Sequence, residues 1–169
     1  MKKGKIAFHI VGMLVVAALF LLLLGFEEVQ VENRVEPIGM RLPEWLGNFR
    51  FWGRFGIAMS LLAGLVWYLF AQRKLIDRLN DSRRRWVWVL LFLLPAFATG
   101  AAVYFTKPVQ AGAWWANGFY CLNALAVYYL ETALFSPSAF KYTPIGAWRM
   151  RVWDRISMTR TMGRTKEGQ

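Results

Sequence analysis

Apolar residues run almost unbroken from Ile6 to Phe26, Phe55 to Ala71, Trp86 to Phe105 and Val109 to Leu130. A helix rises about 1.5 Å per residue, so roughly 20 residues cross a hydrocarbon core of about 30 Å. Each run therefore predicts a transmembrane helix. The second is the shortest, and Phe51 and Trp52 extend it while Arg50 and Arg54 reach toward the headgroups. The first follows Met1-Lys2-Lys3-Gly4-Lys5 and ends in Gly25-Phe26-Glu27-Glu28, with no small-x-small cleavage site before the glutamates. It predicts a retained anchor rather than a cleaved signal.

Polar positions between the runs set the expected orientation. Lys2, Lys3 and Lys5, then Arg73, Lys74, Arg78, Arg83, Arg84 and Arg85, then the seven basic residues after Pro137 account for sixteen of the 21 Lys and Arg. The alternate loops hold only Arg34, Arg41, Arg50, Arg54 and Lys107, and the first of them also carries five glutamates. Short basic loops resist translocation, which predicts both termini in the cytoplasm. The expected fold is an all-α polytopic membrane protein with four transmembrane helices over residues 1–135 and a basic amphipathic cytoplasmic tail over 136–169. The expected location is a bacterial inner membrane.

Two connecting segments carry patterns of their own. Leu42, Trp45, Leu46 and Phe49 follow Pro43 at helical spacing and predict either a short helix lying on the outer membrane surface or a loop whose aromatics mark the interface. Thr106-Lys107-Pro108 reads as a tight connection that makes the third and fourth helices antiparallel neighbours. Past Phe135-Ser136-Pro137, where proline ends the last span, Ile145, Trp148, Val152 and Ile156 fall three or four apart among Arg149, Arg151 and Arg155. That spacing predicts a helix resting on anionic lipid headgroups, and residues 161–169 read as a frayed end.

Composition agrees with lipid as the solvent. Hydrophobic residues make up 57% of the 169 and aromatics 17%, more than a globular core of this size requires. A net charge of +11 raises nucleic acid as a partner, yet the basic residues flank apolar runs instead of gathering on one folded surface, so topology accounts for them. A single cysteine, Cys121, and a single histidine, His9, leave no intramolecular disulfide and no ordinary metal, haem or His-assisted nucleophile scheme. The chain contains no HExxH, no Cys-x-x-Cys and no glycine-rich phosphate loop. No catalytic residue, cofactor or metal is expected.

Chemistry inside the spans comes down to two faces. Gly56, Ser60 and Gly64 recur every four residues on the second helix, and Ala96 and Gly100 repeat the spacing on the third. Small residues let backbones approach, so this face predicts packing within the bundle or against a partner helix. On the fourth helix Asn117, Cys121, Ala124, Tyr128 and Glu131 step by four, three, four and three. Amides and carboxylates are costly in hydrocarbon, so that polar stripe is expected to face protein or a wet cavity. Glu131 reads first as an interface residue, because it falls toward the cytoplasmic end of its span. His9 reads as a hydrated interface residue or a helix contact.

Three segments resemble the four-helix immunity proteins that protect bacteria from pore-forming colicins. Arg73-Lys74-Leu75-Ile76 is similar to the basic start of their cytoplasmic loop, Ala102-Val103-Tyr104-Phe105 to the end of their third helix, and Leu134-Phe135-Ser136-Pro137 with Ala139-Phe140-Lys141 to the close of their last helix. The short third loop and the long tail depart from that family's pattern. The resemblance implies a mechanism without an active site, in which helices contact the hydrophobic hairpin of an inserting toxin. The residues themselves point first to a non-enzymatic protein that works through intramembrane helix contacts, as an accessory or structural subunit with another integral membrane protein as partner and oligomerisation possible. An immunity protein and a small transporter or channel component are the alternatives.

Overall fold

The computed structural model describes residues 3–34, 41–71, 81–106, 115–136 and 144. The tail residues Trp148, Arg149, Arg151, Val152, Arg155 and Ile156, most of the basic loop after the second helix and the first residues of the expected fourth span lie outside the described residues.

Four helices account for nearly all of it: α1 (Lys3–Glu32), α2 (Leu42–Ala71), α3 (Asp81–Phe105) and α4 (Trp115–Phe135). Residues 6–32 of α1, all of α2 and residues 83–105 of α3 are long and apolar enough to cross a membrane. Helix α4 has the length, but Asn117, Asn123 and Glu131 dilute its apolar character.

Each stripe repeats at alternating steps of three and four, which keeps one side of a helix turned inward. In α1, Met13, Ala17, Leu24, Glu27 and Val31 are buried. Outward positions of the same helix are open, with Phe8 72% and Phe26 76% exposed. On α3 the corresponding residue is Phe97, 80% exposed. Such faces suit lipid.

The helices alternate in direction. Leu24 lies against Gly53 and Met13 against Gly64, so α1 and α2 are antiparallel. Trp88 meets Thr132 while Thr106 meets Asn117, which makes α3 and α4 antiparallel as expected. Helices α2 and α4 run parallel, with Phe49 beside Tyr120 at one end and Trp67 beside Ser136 at the other. Each of these two helices packs against all three others, whereas α1 and α3 flank them on opposite sides. The α2–α4 seam is thus the centre of the bundle.

The structure corrects one expectation. Leu42, Trp45, Leu46 and Phe49 form the first turns of α2 and no separate surface helix. Arg41 starts the helix, its carbonyl accepting from the amides of Glu44 and Trp45, and Pro43 sits in the first turn, where no intrahelical donor is required. Trp45, Leu46 and Phe49 continue in register with Gly53, Gly56, Ser60 and Gly64, so a single stripe runs the length of the helix. At 30 residues, α2 spans about 45 Å and outreaches a hydrocarbon core. Its protruding aromatic turns close that end of the bundle: Trp45 Nε1–H donates to the Thr106 carbonyl at 2.7 Å, and the Phe49 ring lies 4.8 Å from that of Tyr120.

Helix α3 contains Pro95, which cannot donate to the ladder. Thr99 Oγ1 lies 2.7 Å from the Pro95 carbonyl and 2.9 Å from that of Ala96, giving this turn an additional donor.

Candidate functional site

Small residues of α2 and polar residues of α4 meet along the central seam. Gly56 faces Ala124, where an added Cβ would sit 3.8 Å from the alanine methyl. One turn on, Ser60 Oγ is 2.9 Å from the carbonyls of both Gly56 and Ala124, so its proton serves the helix or its neighbour. Gly64 faces Glu131 so closely that an added Cβ would overlap Oε2. The small-residue face predicted on α2 therefore packs within the chain. On α3, Ala96 is half-buried and Gly100 is exposed, with nothing within 4 Å of where its Cβ would be. The two small-residue patterns do not meet.

The polar stripe of α4 is turned slightly from its expected direction. Asn117, Ala124, Tyr128 and Glu131 are buried, as are Tyr120, Asn123 and Val127, while Cys121 is only half-buried on the flank. Stripes through 121 and through 120 share most of their members. Spacing fixes the face only to about one residue, and the neighbouring helices decide the rest.

Most of the buried polar groups have partners. Asn123 Nδ2–H donates to Glu27 Oε2 at 2.6 Å, joining α4 to α1. Tyr128 O–H donates to the Trp88 carbonyl at 2.8 Å, and Trp88 Nε1–H donates to Thr132 Oγ1 at 3.0 Å. Trp67 Nε1–H donates to Ser136 Oγ at 2.7 Å, and Ser136 passes a bond to the Thr132 carbonyl. Near the opposite end, exposed Arg50 pairs with Glu28. Bonds that satisfy buried donors and acceptors bring net stability where lost ones would be costly.

Glu131 is one of the exceptions, with the Tyr68 and Tyr120 hydroxyls. Its side chain is wholly buried, and neither carboxyl oxygen has a hydrogen-bond partner among the described residues. Gly64 of α2 lies against its carboxyl, and the tip of Met13 from α1 packs at the same glycine. One turn toward the end formed by the start of α1 and the close of α2 and α4, His9, Tyr68 and Phe135 make the next layer. The His9 ring centroid is 5.5 Å from Tyr68 and 5.8 Å from Phe135. His9 is thus a helix contact, half-buried among rings. The Tyr68 hydroxyl is buried with no hydrogen-bond partner among the described residues. Phe135 also fills the notch left by Gly12, where an added Cβ would come within 2.6 Å of its ring.

Spacing placed Glu131 on an inward face but missed both the residues packed beside it and the separate Asn123–Glu27 pair. Met13 belongs to a uniformly apolar run, and Asn123 falls one step off the assumed stripe. Signals for Glu27 and His9 existed only as polar residues at the ends of an apolar run.

Among the described residues no group of three or more His, Cys, Asp or Glu side chains is arranged to hold a metal ion. Compared with known protein families, curated proteins and solved structures, the chain matches none.

Proposed function

We propose that the chain is a non-enzymatic inner-membrane protein that crosses the bilayer four times and works through helix contacts with another integral membrane protein, as an accessory or structural subunit. The observation that carries this reading is the division of the two small-residue faces. The α2 face is filled by α4, whereas Ala96 and Gly100 leave a shallow notch on the outward side of α3. In lipid, close backbone approach at such a notch is a main source of attraction between helices. Flanking Leu93 and Phe97 are exposed and supply side-chain contacts around it. The fourth crossing is supported by the burial of α4's polar stripe against α1, α2 and α3, which leaves Leu122 and Leu134 outward. Placement of both termini in the cytoplasm rests on the lysine and arginine distribution.

The test is crosslinking in native membranes from Gly100→Cys in a Cys121→Ser background, followed by mild-detergent purification and mass spectrometry. A stoichiometric membrane protein captured at position 100, and lost from the complex in Gly100→Leu, is the expected result. The leucine enters open space and leaves the fold intact. Recovery of the chain alone, or a partner retained unchanged by Gly100→Leu, would overturn the reading.

A further inference from the structure

Independently of any partner, the centre of the bundle holds a group whose charge state the packing has to decide. Glu131 is enclosed by α1, α2 and its own helix, and both of its oxygens lack partners among the described residues. A carboxylate in such surroundings has neither solvent nor counter-charge, whereas a carboxylic acid is neutral. The titratable groups in the adjacent layers are His9 on α1, Tyr68 on α2 and Tyr128 on α4. Tyr128 already donates its hydroxyl to Trp88 on α3. No described lysine or arginine forms an ion pair with Glu131.

We propose that Glu131 is an intramembrane proton-binding site: the packed bundle holds it as the neutral acid, and loss of the proton loosens the α2–α4 seam at Gly64. In the deprotonation step the carboxyl O–H bond breaks, its electron pair stays on the carboxylate oxygen, and the proton leaves to water. The proposed exit for the proton is the half-buried His9 layer, since Glu131 lies one turn from the last residue of α4. The resulting carboxylate faces a glycine on the neighbouring helix, in a seam held on either side by the Ser60–Ala124 and Trp67–Ser136 hydrogen bonds. Separation of α2 from α4 would admit water and relieve the charge. The site thus links proton occupancy to the packing of the central helix pair.

The experiment is infrared spectroscopy of the full chain in lipid nanodiscs at neutral pH, comparing wild type with Glu131→Gln. A C=O stretching band of a protonated carboxylic acid, lost in Glu131→Gln and shifted on transfer to D2O, is expected. Glu27→Gln serves as the control for the other glutamate buried among the described residues, and the band attributed to Glu131 should survive it. If Glu131→Gln fails to assemble, the Glu27→Gln protein still decides the matter, because a missing acid band at neutral pH there removes the site. Thermal unfolding across pH supplies a second readout. A group that keeps its proton when folded and loses it when unfolded makes the protein less stable as pH rises. Wild type should therefore lose melting temperature from mildly acidic to alkaline pH, and Glu131→Gln should lose less. Identical pH profiles for the two proteins, like the missing band, would overturn the proposal.

Discussion

Replacing glycine by alanine at three positions separates tight packing from simple helix propensity. At Gly64 the added Cβ overlaps Glu131 Oε2, and it lies 3.1 Å from Met13 Cε and 3.3 Å from Glu131 Cβ. The carboxyl and the methionine tip can turn aside, but the Cβ of Glu131 moves only with its helix. Overpacking of a close-fitted core costs about 1–3 kcal/mol, and the better helix propensity of alanine returns up to about 1 kcal/mol. Gly64→Ala should therefore destabilise the bundle by roughly 1–2 kcal/mol. At Gly56 the nearest atom is the Ala124 methyl at 3.8 Å, an ordinary contact, and at Gly100 nothing lies within 4 Å. Both alanines should be neutral or stabilising by up to about 1 kcal/mol. The assay is unfolding of the purified protein in mixed detergent micelles, followed by the fluorescence of its nine tryptophans. Combining Gly64→Ala with Glu131→Ala closes a cycle in which the second change removes the obstruction, so the pair should depart from additivity by about 1 kcal/mol or more. Equal losses at all three glycines, or strict additivity of the pair, would refute the packing argument.

Asn123→Leu should cost about 1–3 kcal/mol in the same assay, because it leaves the buried Glu27 carboxyl without its donor. Adding Glu27→Gln should recover part of that loss. Full stability in Asn123→Leu would show that the contact contributes nothing. For orientation, reporter fusions after Lys107 should behave as external, and fusions after Arg85 or Gln169 as cytoplasmic. The reverse pattern would invert the proposed topology.

Three of the four helices were legible in the sequence as candidate spans because crossing a membrane is a constraint on composition alone: a run of apolar residues long enough for the hydrocarbon core satisfies its backbone by itself. The inward stripe of α2 was legible for a related reason. Its repeat at 45, 46, 49, 53, 56 and 60 is written in residue type, although its first turns read equally as a separate surface helix or an interfacial loop. The face of Gly56, Ser60 and Gly64 was likewise visible as a set of small residues, but residue size says only that something can come close. Tertiary structure decided that the occupant is α4, and that Ala96 and Gly100 are left outside.

Glu131 shows the same limit most sharply. Its place on a polar face followed from spacing, yet its isolation depends on Met13, Gly64, His9 and Tyr68, which come from two other helices and carry no shared pattern. Periodicity records which way a residue points relative to its own helix axis. Whether a carboxyl ends in water, beside a cation or enclosed without a partner depends on side chains distant in the chain, and only packing brings those together.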